Sequence, residues 1–210
     1  MKKNRNTPAS IATQPNGTSS SLYDGGVWRG SLALALVSLL GFGLAYSLAG
    51  TWVAGTAFPA QAKGSLLREG ERVIGSALVA QPFTDARYFQ PRPSAAHYDP
   101  MAAAGSNQAR SNPELIQRIE ARRVEVAARE GIDPASVPSE LLTQSGSGMD
   151  PHLGPAAAAL QVRRVAAARG LPEARVAALL ARQVQPRQYG VLGAPRVNVL
   201  ALNLALDRLP

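Results

Sequence analysis

The sequence predicts an α+β protein: one N-terminal transmembrane helix followed by a helix-rich extracytoplasmic domain with a small sheet. Three observations lead to this class. No charged side chain lies between Arg29 and Lys63, helix start and stop signals recur in the polar remainder, and short apolar segments flank a glycine-containing turn there. The predicted organisation is a disordered cytoplasmic tail (residues 1–29), the membrane helix (30–53) and the polar domain (63–210).

The membrane helix is predicted from length and composition. A hydrocarbon core about 30 Å thick needs about 20 apolar residues, and the uncharged run from Ser31 to Val53 is long enough. A surface helix of a soluble protein would carry charged residues on one face. A cleavable signal peptide is the alternative, because Ala60-Gln61-Ala62 resembles a small-residue cleavage site. The length of the run favours an uncleaved anchor.

Basic residues before the anchor predict its orientation. Lys2, Lys3 and Arg5 precede it, and basic residues in short flanking segments remain cytoplasmic. The tail from Asn6 to Gly26 is rich in Ser, Thr, Asn, Gly and Pro, a composition typical of disorder. We therefore expect the N-terminus inside the cell and the domain outside. The signal-peptide alternative places the domain on the same side.

Small residues recur every four positions within the anchor, at Gly41, Ala45 and Ala49. Such a stripe lets the backbone of a second helix approach closely in lipid, and it therefore indicates a helix-packing face. Alanine and glycine are also common in any apolar helix of an alanine-rich chain. The stripe is consistent with either explanation.

The first elements of the polar domain are a β-hairpin and an irregular segment. Residues 64–67 and 72–79 are the predicted strands, because they flank Arg68-Glu-Gly-Glu71. The segment from Asp85 to Met101 contains several prolines and is expected to lack regular structure.

Helices are predicted in the rest of the domain. Asn112-Pro113-Glu114 is a strong helix start, and Gly131 is a suitable end. Further helices are predicted over residues 155–169 and 173–185. Residues 197–209 fit either a strand or a helix, and a helix is favoured.

The charge and cysteine content exclude several function classes. The chain has a net charge of +8, and the polar domain retains +5, since four basic residues and one acidic residue lie before Lys63. These charges do not cluster and few aromatic residues lie among them, so no nucleic-acid surface is predicted. The absence of cysteine excludes disulfides and thiol nucleophiles. The two histidines lie outside any zinc-binding pattern, so no metal is predicted.

The loop Ser145-Gly-Ser-Gly-Met-Asp-Pro-His152 holds the sharpest chemical candidate. An anchored, exported hydrolase using Ser147 and His152 is the alternative function. Spacing argues against it, because Asp150 and His152 are too close in sequence to form a relay with Ser147 easily, and no Gly-x-Ser-x-Gly motif is present. No catalytic residue is therefore assigned. A weaker hypothesis is a backbone cradle for an anion or a nucleotide phosphate, formed by Ser145, Gly146, Ser147 and Gly148.

An aromatic–arginine group is the second candidate. Tyr88, Phe89 and Arg92 lie in the proline-rich segment and could form a partner surface. The alternative is a small satellite core beneath that segment.

Several sequence segments, in this order after one anchor, resemble the C subunit of the Kdp potassium-transporting ATPase of bacteria. The resemblance covers nearly everything from Trp28 onward. It rests on the segments Phe58–Leu66, Val73–Ser76, Tyr88–Ala95, Gly105–Asn107, Ser111–Leu115, Ser145–His152 and Arg196–Asp207.

The resemblance implies a non-catalytic accessory subunit of a high-affinity, ATP-driven potassium uptake complex in the bacterial inner membrane. The implied partners are a channel-like potassium-translocating subunit, a P-type ATPase subunit and a small single-helix subunit. The family is described as a catalytic chaperone that raises the ATP affinity of the ATPase subunit. ATP and potassium act in the complex, and no cofactor is expected for this chain itself. The Asp-Lys-Thr-Gly-Thr phosphorylation motif is absent.

The expected topology conflicts with direct nucleotide binding. A domain outside the membrane meets no cytoplasmic ATP, so an effect on ATP affinity is expected to act through assembly and helix packing. A net positive domain also repels potassium. We therefore expect it to act as a clamp or cover on the channel-like subunit.

Overall fold

The computed structural model describes residues 25–209, which form two compact units that divide after Ala57. The first unit consists of α1 (Gly25–Ser38), a π-helical segment (Leu39–Ala45) and α2 (Tyr46–Ala57). The stretch Gly26–Ala57, 32 residues in length, is long and apolar enough to cross a membrane. At a rise of 1.5 Å per residue it measures about 48 Å, which exceeds the hydrocarbon thickness.

The anchor helix extends beyond the predicted segment at both ends. It starts at Gly25 rather than residue 30 and ends at Ala57 rather than residue 53. Residues 25–29 are therefore helical, which corrects the prediction of disorder for that part of the tail. Adding residues to an existing helix is easier than nucleating a new one, and no proline interrupts the stretch before Phe58-Pro59. The rest of the predicted disordered tail, residues 1–24, lies outside the described residues.

The second unit begins at Phe58, is helix-rich and contains two small antiparallel sheets, which confirms the α+β class. Short 3₁₀ turns occupy Pro100–Ala102 and Pro134–Ser136. In chain order, the helices and strands are α3 (Pro59–Ala62), β1 (Leu66–Glu69), β2 (Arg72–Ser76), α4 (Pro113–Glu130), α5 (Ser139–Leu142), β3 (His152–Leu153), α6 (Pro155–Ala159), α7 (Val162–Arg169), α8 (Glu173–Gln183), β4 (Val197–Asn198) and α9 (Val199–Asp207).

Two predicted elements are confirmed. α4 begins and ends at the predicted signals. β1 and β2 form the expected antiparallel hairpin, but β1 lies two residues later than predicted and includes Arg68 and Glu69, so the turn is shorter, and β2 ends at Ser76 instead of residue 79. The Asn112 side chain accepts a hydrogen bond from the Glu114 N–H at 2.9 Å, and Gly131 occupies the left-handed position after the last turn. These contacts satisfy backbone groups that a helix end leaves without partners.

The helix predicted over residues 155–169 is broken into α6 and α7, which corrects that prediction. The break occurs at Leu160 and Gln161, where the side chain of Gln161 is fully buried. Gln161 uses both ends of its amide on the backbone of Gln90. A polar side chain buried at this point must meet its partner, and the partner lies far away in sequence.

The C-terminal segment contains both predicted alternatives. Val197 and Asn198 pair with β3 as a short strand, and the favoured helix follows as α9. The Asn198 side chain accepts from the Ala201 N–H at 3.0 Å and donates to the Ala77 carbonyl at 2.7 Å. One residue therefore caps α9 and ties it to the segment that follows the hairpin.

The core is formed by the helices and the second sheet. α8 packs against α6, α7, α9 and β4, and it buries Val176 and Leu180. α8 ends at Gln183 instead of the predicted Gln185. The other large core side chains that are fully buried include Phe89, Val126, Leu141, Leu153, Val165, Val197, Leu202 and Leu206.

An irregular stretch, residues 86–90, is fixed to this core by buried amides, and we call it the clamped segment. The Asn203 amide accepts from the Phe89 N–H and donates to the Phe89 carbonyl, both at 2.9 Å. The Gln161 amide likewise accepts from the Gln90 N–H at 2.8 Å and donates to the Gln90 carbonyl at 3.0 Å. Two side chains thus replace the backbone ladder that a neighbouring strand would supply.

A buried ion cluster supports the same segment. Glu130, whose side chain is fully buried, accepts from Arg129 at 2.7 Å and from Arg164 at 3.0 and 3.1 Å. Arg164 also donates to the carbonyls of Ala86 and Tyr88. The acid therefore holds in place an arginine that binds the clamped segment.

Candidate functional site

The strongest concentration of ionisable groups lies in one cleft of the second unit, with a volume of about 270 Å³. The loop before β3, the start of α6 and the segment before β4 enclose it. Its ionisable side chains are Arg92, Glu140, Asp150, His152 and Arg196.

Asp150 is the centre of this cleft. One of its carboxylate oxygens lies 3.0 Å from the His152 backbone nitrogen and 3.2 Å from the His152 ring Nδ1, and the other lies 3.4 Å from Arg92. The hydrogen bond from the His152 side chain lowers the pKa of Asp150, with smaller help from the His152 backbone N–H and the Arg92 charge, against partial burial. Asp150 is therefore ionised at neutral pH and cannot act as a proton donor there.

Glu140 closes the cleft at the start of α6. Its carboxylate accepts from the Gly154 N–H at 2.6 Å, a position where a negative charge favours the helix start. A Cβ at position 154 would lie 2.7 Å from the Glu140 carboxylate, so the close approach requires glycine. Both acids of the cleft are thus engaged by the protein itself.

The hydrolase alternative gains no support from this geometry. Asp150 and His152 pair with each other, with the His152 ring Nδ1 3.2 Å from the carboxylate. However, the Ser147 hydroxyl accepts from the Met149 N–H at 3.2 Å, and no hydrogen bond joins it to His152 among the described residues. An acid–base pair without an aligned nucleophile does not form a triad.

The Ser145–Gly148 loop uses part of its polar groups internally. The Gly148 N–H donates to the Ser145 carbonyl at 3.2 Å, and the Asp150 N–H lies 3.4 Å from the Ser145 hydroxyl. Gly148 is buried with φ at 71°, and a Cβ there would lie 2.6 Å from the Ala104 carbonyl, whereas Gly146 and Ser147 are exposed. The anion cradle therefore stays a prediction, with one of its four backbone donors already used within the loop.

The aromatic–arginine group is divided by the fold. Phe89 is fully buried in the core, so it cannot belong to a partner surface, which corrects that prediction. Its backbone clamp places it inward. Tyr88 and Arg92 remain partly exposed on different sides of the clamped segment: Tyr88 bonds Asp207 and lies under Arg169, whereas Arg92 enters the cleft.

The small-residue stripe of the anchor spans the π-helical segment. A π-helical turn contains more residues than an α-helical turn, so the four residues from Gly41 to Ala45 fall short of a full turn. The four residues from Ala45 to Ala49 lie in α2 and slightly overshoot one. The two offsets have opposite sign, so the three positions stay on one face.

Two charged residues of the cleft were missed by sequence reasoning. Glu140 lies five residues before the Ser145–His152 loop but belongs to no motif, and Arg196 begins the Arg196–Asp207 segment without a role having been assigned to it. The adjacency of Pro195-Arg196 to β4 was a weak signal only. Among residues 25–209, no group of three or more His, Cys, Asp or Glu side chains is placed so that it could hold a metal ion.

Taken together, residues 25–209 combine one exposed apolar helix, long enough to cross a membrane, with a polar α+β domain, which is the architecture of a protein with a single membrane anchor. A family model described as "KdpC: K+-transporting ATPase, c chain" matches residues 28–208. The chain therefore belongs to the KdpC family.

Curated relatives agree along nearly the whole chain. The potassium-transporting ATPase KdpC subunit of Xanthomonas oryzae pv. oryzae is 66% identical over 191 residues, which cover 91% of each protein. The corresponding subunit of Xanthomonas campestris pv. campestris is 68% identical with the same coverage. That of Shewanella putrefaciens is 50% identical over 181 residues, 86% of this chain and 89% of its own.

Proposed function

We propose that this chain is a non-catalytic assembly subunit of an ATP-driven potassium uptake complex. The anchor helix lies in the inner membrane with its N-terminus in the cytoplasm, and the α+β domain lies on the periplasmic side. The chain holds together a channel-like potassium-translocating subunit, a P-type ATPase subunit and a small single-helix subunit. Family membership and the printed names of the relatives support the assignment to a potassium-transporting ATPase.

The observation that carries the assembly role is the anchor itself. Its side chains are exposed along residues 26–54, and Gly41 and Gly50 have open space where a Cβ would stand. Such a surface needs lipid and neighbouring helices to cover it. The stripe at Gly41, Ala45 and Ala49 offers a second helix its closest approach.

An effect on ATP affinity is proposed to be indirect. The Gly148 N–H and the Ser145 and Ser147 hydroxyls are already used within the loop, and an outer domain is separated from cytoplasmic nucleotide by the bilayer. The contribution of this chain is then to stabilise the arrangement of the other subunits that binds ATP well.

The test is co-purification of the other subunits with anchor variants. Replacing the anchor by a cleavable signal peptide is expected to abolish co-purification while still exporting the domain. Within the intact anchor, Gly41→Leu is expected to reduce recovery of the complex. Gly50→Leu is the matched control, because it adds the same bulk to the same helix beside the stripe.

Full recovery of the complex without the anchor would contradict the assembly role. Equal losses from the stripe variant and Gly50→Leu would show that bulk anywhere in the helix is harmful, and would reject the stripe alone. Orientation is tested separately, since the chain has no cysteine: a single cysteine at Met101 should react with an impermeant maleimide in intact spheroplasts.

A further inference from the structure

Residues 185–196, between α8 and β4, form an exposed hairpin that the function proposed above does not use. Gln185 and Arg196 exchange backbone hydrogen bonds at 2.8 and 3.0 Å, and Gln188 and Leu192 exchange two more at 2.9 Å. All residues from 185 to 196 are exposed. The hairpin is therefore held by its own backbone and not by packing.

The tip of this hairpin displays large apolar side chains. Tyr189 is 84% exposed, Val191 72% and Leu192 57%. Three such side chains within four residues are unusual on a surface that meets only water. They are too few for a specific protein interface, which buries about 800 Å² on each partner.

The charged side chains of the hairpin itself are both basic. The hairpin carries Arg187 and Arg196, and no acidic residue occurs between Glu173 and Asp207. Tyrosine beside arginine and aliphatic residues is the composition favoured at the membrane–water interface, where the ring and the guanidinium meet lipid headgroups.

Backbone N–H groups at the tip also have hydrogen-bond partners within the hairpin. The N–H groups of Gly190, Val191 and Leu192 all donate to carbonyls within the hairpin, those of Arg187 and Gln188. Backbone donors without partners are costly in lipid. This tip can therefore approach the bilayer without exposing these three.

We propose that the tip of the 185–196 hairpin inserts into the headgroup region of the bilayer that holds the anchor helix. Tyr189, Val191 and Leu192 enter the boundary of the acyl chains, and Arg187 pairs with anionic phosphates. The tether supports this contact, because the domain begins at the residue that follows the anchor, and this covalent attachment raises the effective concentration of the domain at the bilayer surface. Even a weak insertion is then populated.

The test uses the full chain reconstituted into vesicles of phosphatidylcholine and phosphatidylglycerol. Because the chain has no cysteine, Leu192→Cys carries a single polarity-sensitive fluorophore. Met101→Cys is the matched control, since Met101 is a 92% exposed apolar residue on another loop. We expect a blue-shifted emission and quenching by nitroxide-labelled lipid at position 192, and neither at position 101.

Several outcomes would overturn the proposal. These are a water-like emission at position 192, equal quenching at both positions, and a shift that appears only when the other subunits are added, which would assign the tip to a protein partner. In the expected case, adding Arg187→Gln weakens the quenching in anionic vesicles more than in pure phosphatidylcholine. The result does not depend on co-purification, so the failure of one proposal is separable from the failure of the other.

Discussion

Two irregular parts of the second unit are held in opposite ways. The clamped segment, residues 86–90, has little backbone pairing of its own and is fixed by buried side chains from α4, α7 and α9. The 185–196 hairpin is fixed by its own backbone and exposes every residue. The first depends on the fold for its shape, and the second does not.

This difference in how the two segments are held predicts where substitutions will destabilise the domain. Long-range side-chain hydrogen bonds in a buried site have no water to replace them, so their loss destabilises the domain. Exposed side chains on a self-paired hairpin can change with little effect on stability and are available for contact with something else. Stability and interaction are therefore assigned to different irregular segments.

The largest expected effect is that of Glu130→Ala. Removing this acid leaves Arg164 and Arg129 without their buried partner. Burial lowers the pKa of Arg129, and the hydrogen bond to Glu130 opposes that shift. Breaking a buried pair on one side costs about 3–5 kcal/mol of the free energy of unfolding. Thermal unfolding of the detergent-solubilised chain, followed by far-ultraviolet circular dichroism, measures the loss.

Glu125→Ala is the matched control for that experiment. It removes the same side chain from the same helix, where Glu125 pairs with Arg122 on the surface. A surface pair contributes about 0–1 kcal/mol. Similar losses in the two variants would contradict a special role for the buried cluster.

Asn203→Leu comes next. The volume is nearly kept, but the N–H and carbonyl of Phe89 lose their partners. Each unsatisfied buried group costs about 1–3 kcal/mol. Gln185→Leu is the comparison in the hairpin, since its amide bonds Arg196 in full exposure, and it should leave the unfolding midpoint unchanged. A stable Asn203→Leu variant would show that water can replace the clamp.

Much of the fold could be predicted from local signals. The Asn112 cap, the Gly131 stop and the glycine turn after Glu69 are each explained by a few adjacent residues, and they placed α4 correctly and predicted the β1–β2 hairpin. The length of the apolar run was likewise sufficient to predict the anchor helix, but no charged residue marks the two ends of that helix. These elements are determined by nearest-neighbour physical chemistry.

The clamp and the cleft could not be predicted in this way. In the sequence, Gln161 looks like an ordinary polar residue of a helix. The helix breaks there because Gln161 bonds the backbone of Gln90, which lies far away along the chain. Glu130, at the end of α4, likewise looks like a solvated charge. Only the tertiary structure shows that these residues are buried, or that Arg196 meets Asp150 in one cleft.

A smaller effect is expected at low pH from Asp150. Its pKa is lowered in the folded state, so the stabilisation is fully present above the ordinary carboxyl value of 3.8 and is lost as the pH falls below it. The stability difference between the wild type and Asp150→Asn should therefore shrink as the pH falls below that value. Urea unfolding at a series of pH values checks this.

The Asp150 experiment also has an internal comparison. The pKa of Asp85 is likewise lowered, chiefly by its hydrogen bond with Arg87, but this pair is fully exposed. Salt screens exposed charges more than partly buried ones. Added salt should therefore remove any effect of Asp85→Asn while leaving part of that of Asp150→Asn, and the opposite order would place the cleft in open solvent.

The smallest effect on stability is expected from Tyr189→Ser in the hairpin. The ring is exposed and the turn is closed by backbone hydrogen bonds, so the free energy of unfolding should change by no more than about 0.5 kcal/mol. The same change should weaken lipid quenching of a probe at position 192. If Tyr189→Ser instead unfolds the domain as Asn203→Leu does, the hairpin is part of the core, and the contrast between the two segments is lost.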